Sequence, residues 1–243
     1  MNRPHDLPAA LLLLALGTLG CNLPGRPKAG PEVPRPDSIL DFATLYQQNC
    51  SACHGPDGKG GAAQDLADPV YLAIADDGAL RRVTANGIPG TSMPAFSQSA
   101  GGMLTGEQVD ALVRGMREGW GKPDILGGQD PPPYAAETPS DAQRGADVFK
   151  TFCASCHGPD GKGGEKASSI TDGSYLALVS DQGLRTAVIV GRPDLGAPDW
   201  RSDMAGRPMT HQDVSDVVAW LAGQRPPFPG QPYASTAATG GSL

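Results

Sequence analysis

The chain has 243 residues and a formal net charge of −7, with 33 glycines, 24 prolines and few aromatic residues. It contains no basic stripe that could neutralise phosphates, which excludes nucleic-acid binding from the functions to consider. This composition predicts a poor core if only protein side chains fill it. The length, together with an internal repeat, predicts two small domains rather than one large one.

The N-terminal segment has the pattern of a secretory signal peptide, which we predict to cover residues 1–21. Arg3 precedes a short apolar run, and a small residue precedes Cys21. The run is shorter than the roughly 20 residues that a helix needs to span a bilayer, so we expect no retained transmembrane helix. Leu19-Gly20-Cys21 resembles the bacterial lipobox, which implies that Cys21 is lipidated and anchors the protein to a membrane. Ordinary cleavage and an uncleaved anchor are the alternatives.

Segments rich in proline and glycine divide the rest of the chain. Residues 22–36 predict an extended tether, and residues 122–139, which include three consecutive prolines, predict a semi-rigid linker. The tail over residues 226–243 is rich in Pro, Gly, Ser and Thr and is predicted to be disordered. Two domains, over residues 37–121 and 140–225, lie between these segments.

The pattern Cys-x-x-Cys-His occurs twice, at residues 50–54 and 153–157, each time followed by Gly-Pro-Asp-Gly-Lys-Gly-Gly. This spacing is that of covalent c-type haem attachment, with the histidine left facing the iron. A zinc ribbon places its cysteine pairs about 15–20 residues apart, and a thioredoxin-like dithiol needs a βαβ context that is lacking here. We therefore predict two haems, each held by one pair of thiols. These thiols belong to Cys50, Cys53, Cys153 and Cys156.

Helical periodicity dominates both domains. Apolar residues at helical spacing predict a first helix that ends in each haem motif. Short middle helices are predicted over residues 80–85 and 184–190, each followed by a glycine stop. The last helix of each domain opens with a capping box, at Thr105 and at Thr210. Strand signals are weak, so the sequence predicts an all-α protein.

This pattern resembles that of the class I cytochromes c, and it occurs twice over most of residues 37–225. The resemblance implies a fold in which the first and last helices of each domain cross over the haem edge. It also implies His54 and His157 as the proximal iron ligands. Two haems c make electron transfer the predicted function, and we expect no enzymatic reaction of the chain's own.

The resemblance also indicates where the protein works. Since bacterial c-type haem is attached outside the cytoplasmic membrane, it implies a periplasmic location or the outer face of that membrane. The expected partners are redox proteins. The donor would be a membrane dehydrogenase or a quinol-oxidising complex, and the acceptor an oxidase or a smaller carrier. The lipid anchor and tether favour a subunit held beside a larger complex.

The sixth iron ligand is predicted to differ between the domains. In the family, a methionine followed by proline after the middle helix is the distal ligand, which implies Met93 in the first domain. Counted from the glycine that ends the middle helix, the equivalent residue in the second domain is Ala197, which cannot bind iron. Three outcomes stay open there: ligation by Met204 or Met209, an open or water-bound iron, and ligation by His211. We favour Met204, with Met209 as the alternative methionine.

Arg81 and Arg185 occupy equivalent positions in the middle helices. Since a guanidinium group suits a carboxylate bidentately, both are candidates for contacts with haem propionates, and a solvated helix face is the competing interpretation. An open iron in the second domain would instead suit a peroxidase-like enzyme or a ligand-binding sensor. His211 is the one histidine left over for such chemistry outside the leader, and no distal acid–base pair is recognisable, which favours the electron carrier.

Overall fold

The structure is a computed structural model that describes residues 30, 32–202, 204 and 206–227. The predicted signal peptide with Cys21, most of the tether and almost all of the tail lie outside the described residues. Contacts divide the chain into two compact units, residues 1–38 and residues 39–243. The described part of the first unit contains a short 3-10 turn, Pro36–Ser38.

The second unit is built from α-helices. In the first domain these are α1 (Phe42–Asn49), α2 (Ser51–His54), α3 (Pro69–Ile74), α4 (Asp77–Asn86) and α5 (Gly106–Trp120). In the second domain they are α6 (Ala142–Phe152), α7 (Ala154–His157), α8 (Gly173–Leu178), α9 (Asp181–Val190) and α10 (His211–Ala222). The described residues contain isolated β-bridges but no strand, which confirms the predicted all-α fold. None of the helices in this part of the chain has both the length and the apolar character required to cross a bilayer.

The final helix of each domain starts at the predicted capping box. The amide of Gln108 donates to Thr105 Oγ1 at 3.2 Å, and the amide of Thr105 donates to Gln108 Oε1 at 3.0 Å. At the start of α10, the same reciprocal bonds join Thr210 and Asp213 at 3.1 and 2.9 Å. Each box satisfies amide groups that the first turn of a helix leaves without partners. Both predicted helix starts are therefore confirmed.

Two short helices, α3 and α8, were not predicted. Each begins at an aspartate whose carboxylate accepts hydrogen bonds from amides two and three residues further on, Asp68 at 2.8 and 2.9 Å and Asp172 at 2.9 and 3.1 Å. Pro69 adds a helix-compatible φ to the first turn of α3. Helices of six residues are too short to produce a clear apolar period. The aspartate caps are the local signal that sequence reasoning overlooked.

In each domain the first long helix crosses the last helix at a glycine. In the first domain, a Cβ atom at Gly115 of α5 would lie 2.2 Å from the Phe42 ring of α1. In the second domain the glycine is on the other partner, because a Cβ atom at Gly145 of α6 would lie 2.0 Å from the main-chain oxygen of Asp216 in α10. Only glycine permits such close approach. The crossing that the resemblance implies is thus present in both domains.

The linker between the domains packs against both of them. Pro132 is buried, and the ring of Tyr134 lies 6.4 Å from that of Tyr71 in α3. From the second domain, Gln182 Nε2 donates to the carbonyl oxygen of Tyr134 at 2.8 Å. Buried apolar residues of the two domains form one continuous cluster. The domains therefore share a core, and the linker packs against it around Pro132 and Tyr134, whereas most of its other residues are exposed.

Two arginines perform the same task from different sequence positions. Arg117 lies in α5, whereas Arg225 follows the end of α10. Each guanidinium group binds two carbonyl oxygens at the end of a short helix and a carboxylate in the first turn of the middle helix. For Arg117 these partners are Leu72, Ala75 and Asp77, and for Arg225 they are Leu176, Val179 and Asp181. The comparison of repeats missed this shared contact because the two arginines do not align.

Asp216 holds the two crossing helices of the second domain together. Its side chain is 3% exposed, and its oxygens accept hydrogen bonds from Arg144 Nε at 2.8 Å, the Asp141 amide at 2.7 Å and Gln212 Nε2 at 2.8 Å. Burial raises the pKa of Asp216, but these hydrogen bonds together lower it by more, so the pKa lies below that of an ordinary aspartate. The contribution to stability is complete above the unfolded pKa of about 3.9 and is lost as the pH falls through the lower folded pKa.

We expect Asp216→Asn to lower the free energy of unfolding by about 1–3 kcal/mol at pH 7, because a buried hydrogen-bonded charge is lost. The difference from the wild type should shrink as the pH falls through the pKa of Asp216, where the wild type is itself protonated. Urea unfolding of the haem-loaded protein between pH 7 and pH 2 measures the loss of stability and its dependence on pH. Asp147→Asn is the matched control, since Asp147 is 79% exposed. A difference that stays constant over this pH range would contradict a role for the charge.

Candidate haem sites

The first haem motif is folded into a single helical turn. Helix α1 ends at Asn49, Cys50 links it to α2, and α2 carries Cys53 and His54. His54 is buried, and its Nδ1 lies 2.7 Å from the carbonyl oxygen of Gln64. Because a carbonyl oxygen only accepts, Nδ1 must carry the proton. This tautomer leaves Nε2 free to bind iron, and the carbonyl fixes the orientation of the ring.

The second motif has the same arrangement. Helix α6 ends at Phe152, and the one-turn helix α7 carries Cys156 and His157. His157 Nδ1 lies 2.8 Å from the carbonyl oxygen of Ser168. The second histidine is therefore also held in the tautomer that leaves Nε2 free. The loop that supplies the acceptor is one residue longer than in the first domain, yet it forms the same bond.

The four thiols are free, and the thiols of Cys50 and Cys153 differ from those of a thiolate site. Burial, followed by the neighbouring Cys53, raises the pKa of Cys50 to about 11, and burial with Cys156 raises that of Cys153 to about 11. Zinc ligands and reactive dithiols have lowered pKa values instead. Within the described residues, no group of three or more His, Cys, Asp or Glu side chains could hold a metal ion. The thiols fit the formation of neutral thioethers better than either competing chemistry.

The glycine-rich loop after the first motif packs back onto it. The amide of Ala63 donates to the carbonyl oxygen of Cys53 at 3.0 Å. A Cβ atom at Gly61 would lie 2.1 Å from that same oxygen. On the other side, Tyr46 Oη donates to the carbonyl oxygen of Gly55 at 2.7 Å, and burial raises the pKa of Tyr46 to about 12. The loop thus brings the Gln64 carbonyl to His54 and fixes the motif from two sides.

The loops after the two middle helices are closed by the same main-chain hydrogen bond. In the first domain the Ile88 amide donates to the carbonyl oxygen of Met93 at 3.0 Å. In the second domain the Arg192 amide donates to the carbonyl oxygen of Ala197 at 3.0 Å. Ala197 therefore occupies the position of Met93, as the sequence count predicts. Met93 is partly buried.

The other candidate ligands of the second domain lie elsewhere. Met204 is 37% exposed, and Met209 is 6% exposed within the apolar core. His211 is in the first turn of α10 with its Nε2 3.8 Å from a carboxylate oxygen of Asp130 in the linker. None of the three occupies the backbone position that corresponds to Met93. The sixth position in the second domain therefore stays a matter of prediction, with Met204, Met209, His211 and an open iron as the candidates.

The two candidate propionate ligands have different surroundings. Arg81 is about half exposed and forms an ion pair with Asp110 at 2.8 Å. Arg185 is 2% exposed, and it donates to the carbonyl oxygen of Pro133 at 2.9 Å and to Ser215 Oγ at 3.1 Å. The described contacts of Arg185 give it a structural task at the linker. A propionate contact stays a prediction for both residues.

Trp200 is a candidate site residue that sequence reasoning missed. Its side chain is 4% exposed, and its Nε1–H is a buried donor with no acceptor among the described residues. Buried donors in folded proteins are almost always satisfied. A haem carries carboxylates that accept such bonds, so this orphan donor fits a bound haem in the second domain. The oriented histidines of the two motifs fit a bound haem in both domains.

Comparisons with known proteins agree with this geometry. Residues 37–114 match the family described as cytochrome c oxidase, cbb3-type, subunit III, and residues 142–224 match the family described as cytochrome c. The cytochrome bc1 complex cytochrome c subunit of Mycobacterium tuberculosis is 25% identical over 224 residues, which cover 87% of this chain and 74% of that protein.

Subunits of a second kind of complex are also similar. The cbb3-type cytochrome c oxidase subunit CcoP of Cereibacter sphaeroides is 25% identical over 202 residues, which cover 76% of this chain and 62% of that protein. Subunit FixPc of Rhizobium leguminosarum bv. viciae is 30% identical over 138 residues, which cover 52% of this chain and 41% of that protein. These matches reach only part of the oxidase subunits.

Gly61→Ala should impair haem attachment in the first domain. The added Cβ would meet the carbonyl oxygen of Cys53 at 2.1 Å, so backbone of the motif must shift, at a cost of about 1–3 kcal/mol. We expect a fall from two haems towards one haem per chain, measured by intact-protein mass spectrometry. Gly119→Ala is the matched control, because no atom lies within 4 Å of the added methyl group. Full haem content in Gly61→Ala would show that the loop does not support the motif.

Proposed function

Because this chain belongs to the c-type cytochromes and carries two class I domains in tandem, we propose that it carries electrons from a quinol-oxidising complex to an oxidase or a smaller carrier. The observation that carries this proposal is the likeness of both domains together to a cytochrome c subunit of a bc1 complex, over 87% of the chain. The similar oxidase subunits support the same direction of electron flow. Electron transfer by two covalent haems needs no substrate site.

The haem of the first domain is held by Cys50 and Cys53 through thioether bonds and by His54 Nε2 at the iron. The imidazole is buried and donates its Nδ1–H to the carbonyl oxygen of Gln64, which supports this assignment. Met93 is the second iron ligand. Its loop is closed by the hydrogen bond from the Ile88 amide to the carbonyl oxygen of Met93. A thioether is a soft ligand that favours Fe(II), so the pair raises the reduction potential. The bound haem supplies the one-electron redox chemistry.

The haem of the second domain is held by Cys153, Cys156 and His157 in the same way. The hydrogen bond from His157 Nδ1 to the Ser168 carbonyl supports this assignment. Trp200 Nε1–H, a buried donor without an acceptor among the described residues, would bind a propionate. We assign the propionate contact to Trp200 ahead of Arg185, because Arg185 already binds the linker.

The protein works on the outer side of the cytoplasmic membrane, held there by a lipid on Cys21. The lipobox-like sequence and the tether over residues 22–36 support this proposal. In cells that attach c-type haem, Cys21→Ser is expected to move most of the protein from the membrane fraction to the soluble fraction while the haem content stays at two. Immunoblots of the two fractions measure this. Membrane retention of Cys21→Ser would exclude a lipid on this thiol as the anchor.

Electron transfer is tested with the purified full-length protein loaded with haem. Mass spectrometry should find two covalent haems per chain. Membranes that contain a quinol-oxidising complex should reduce both haems when quinol is added, and an inhibitor of that complex should slow the reduction at least tenfold. A protein with no covalent haem, or one that these membranes do not reduce, would overturn the proposed function.

A further inference from the structure

We propose that the haem of the second domain has an open sixth position and binds a small uncharged diatomic ligand there, whereas Met93 closes this position in the first domain. The inference rests on the proposed function in one respect, because it takes His157 as the haem ligand. It adds a binding site to a chain whose relatives are electron carriers.

The first argument is the equivalence of the two distal loops. Each begins at a glycine with φ +66°, Gly87 after α4 and Gly191 after α9. Each closes with the same hydrogen bond at 3.0 Å, to the carbonyl oxygen of Met93 in one domain and of Ala197 in the other. The starting glycine and the closing hydrogen bond are therefore shared by the two loops, and the side chain of the residue that accepts this bond changes from a thioether to a methyl group. A methyl group has no lone pair to offer iron.

The second argument concerns Met209, which has a packing role. Its amide donates to the carbonyl oxygen of Trp200 at 2.7 Å, just as the amide of Leu104 donates to that of Phe96 at 2.7 Å in the first domain. Met209 and Leu104 are both buried, at 6% and 5% exposure. Leucine cannot bind iron, so this position serves the core in both domains. A buried methionine is a common filler of such positions.

The third argument concerns Met204 and His211. Met204 is 37% exposed in a turn closed by a hydrogen bond from Ser202 Oγ to the carbonyl oxygen of Arg207 at 2.8 Å. His211 is 44% exposed and faces Asp130 of the linker. Neither residue lies at the backbone position that Met93 occupies in the first domain, which Ala197 fills in the second. The second domain offers no better candidate among its described residues.

The charges of the distal loop determine the class of ligand. Arg192 pairs with Asp194 through bonds of 2.9 and 2.8 Å, and Arg201 pairs with Asp199 through bonds of 2.5 to 3.1 Å. Within the described part of the loop these two pairs cancel, and the guanidinium carbon of Arg207 lies 5.2 Å from the centroid of the Phe152 ring, to which it is held as a cation–π contact. Access and polarity on the distal side decide what haem iron binds. A small neutral molecule is favoured, and carbon monoxide is the suitable probe for ferrous iron.

The experiment titrates carbon monoxide into the reduced full-length protein that carries two haems. We expect the wild type to bind one carbon monoxide molecule per chain. The change in the Soret absorption band measures this binding. Ala197→Met should reduce the rate of binding at least tenfold and should add a sulfur-to-iron charge-transfer band in the oxidised protein. Met93→Ala is the reciprocal variant in the equivalent loop, and it should bind two carbon monoxide molecules per chain.

The controls separate this inference from the proposed function. Met204→Leu and Met209→Leu should leave the binding rate unchanged, and a large acceleration in either would identify that methionine as the ligand and overturn the open position. No binding by a wild type that carries two reducible haems would overturn the inference alone. A wild type without covalent haem would overturn the proposed function as well. Unchanged binding by a haem-loaded Ala197→Met protein would also contradict the inference.

Discussion

Each motif histidine donates its Nδ1–H to a main-chain carbonyl ten or eleven residues further along the chain, and the chemistry of both sites depends on this bond. The Cys-x-x-Cys-His turn alone places an imidazole near the haem but does not choose which nitrogen carries the proton. The carbonyls of Gln64 and Ser168 make that choice. They reach the histidines because the glycine-rich loop folds back on its own motif, where Gly61 contacts the Cys53 carbonyl so closely that no side chain fits.

Local patterns were sufficient for the haem motifs, the all-α fold and the caps of the final helices, because each depends on residues a few positions apart. The rest depends on contacts between residues far apart in the chain. Arg185 aligns with the exposed Arg81, but the linker covers only Arg185, and residues 51 and 52 positions away become its partners. Arg117 and Arg225 make equivalent contacts without aligning at all. Trp200 became a candidate site residue only when its burial was known.

The two domains keep the same close main-chain contacts although the residues at these contacts differ. The helix crossing keeps its close approach although the glycine moves from the last helix to the first, from Gly115 to Gly145. The distal loop keeps its closing hydrogen bond although methionine becomes alanine. Backbone geometry is thus maintained by glycines and main-chain bonds, which leaves the side chains of the loop free to differ. Fold resemblance alone therefore does not identify the sixth iron ligand of each domain.

The shared core also bears on the exchange of electrons inside the protein. Arg192 is at the start of the distal loop of the second domain, and its Nε lies 3.6 Å from Oδ2 of Asp65. Asp65 belongs to the first domain and follows Gln64, whose carbonyl accepts the hydrogen bond from His54. With the linker packed between the domains, the separation of the two redox centres is set when the chain folds. An electron that passes between haems bound at these two motifs would then need no search through domain orientations.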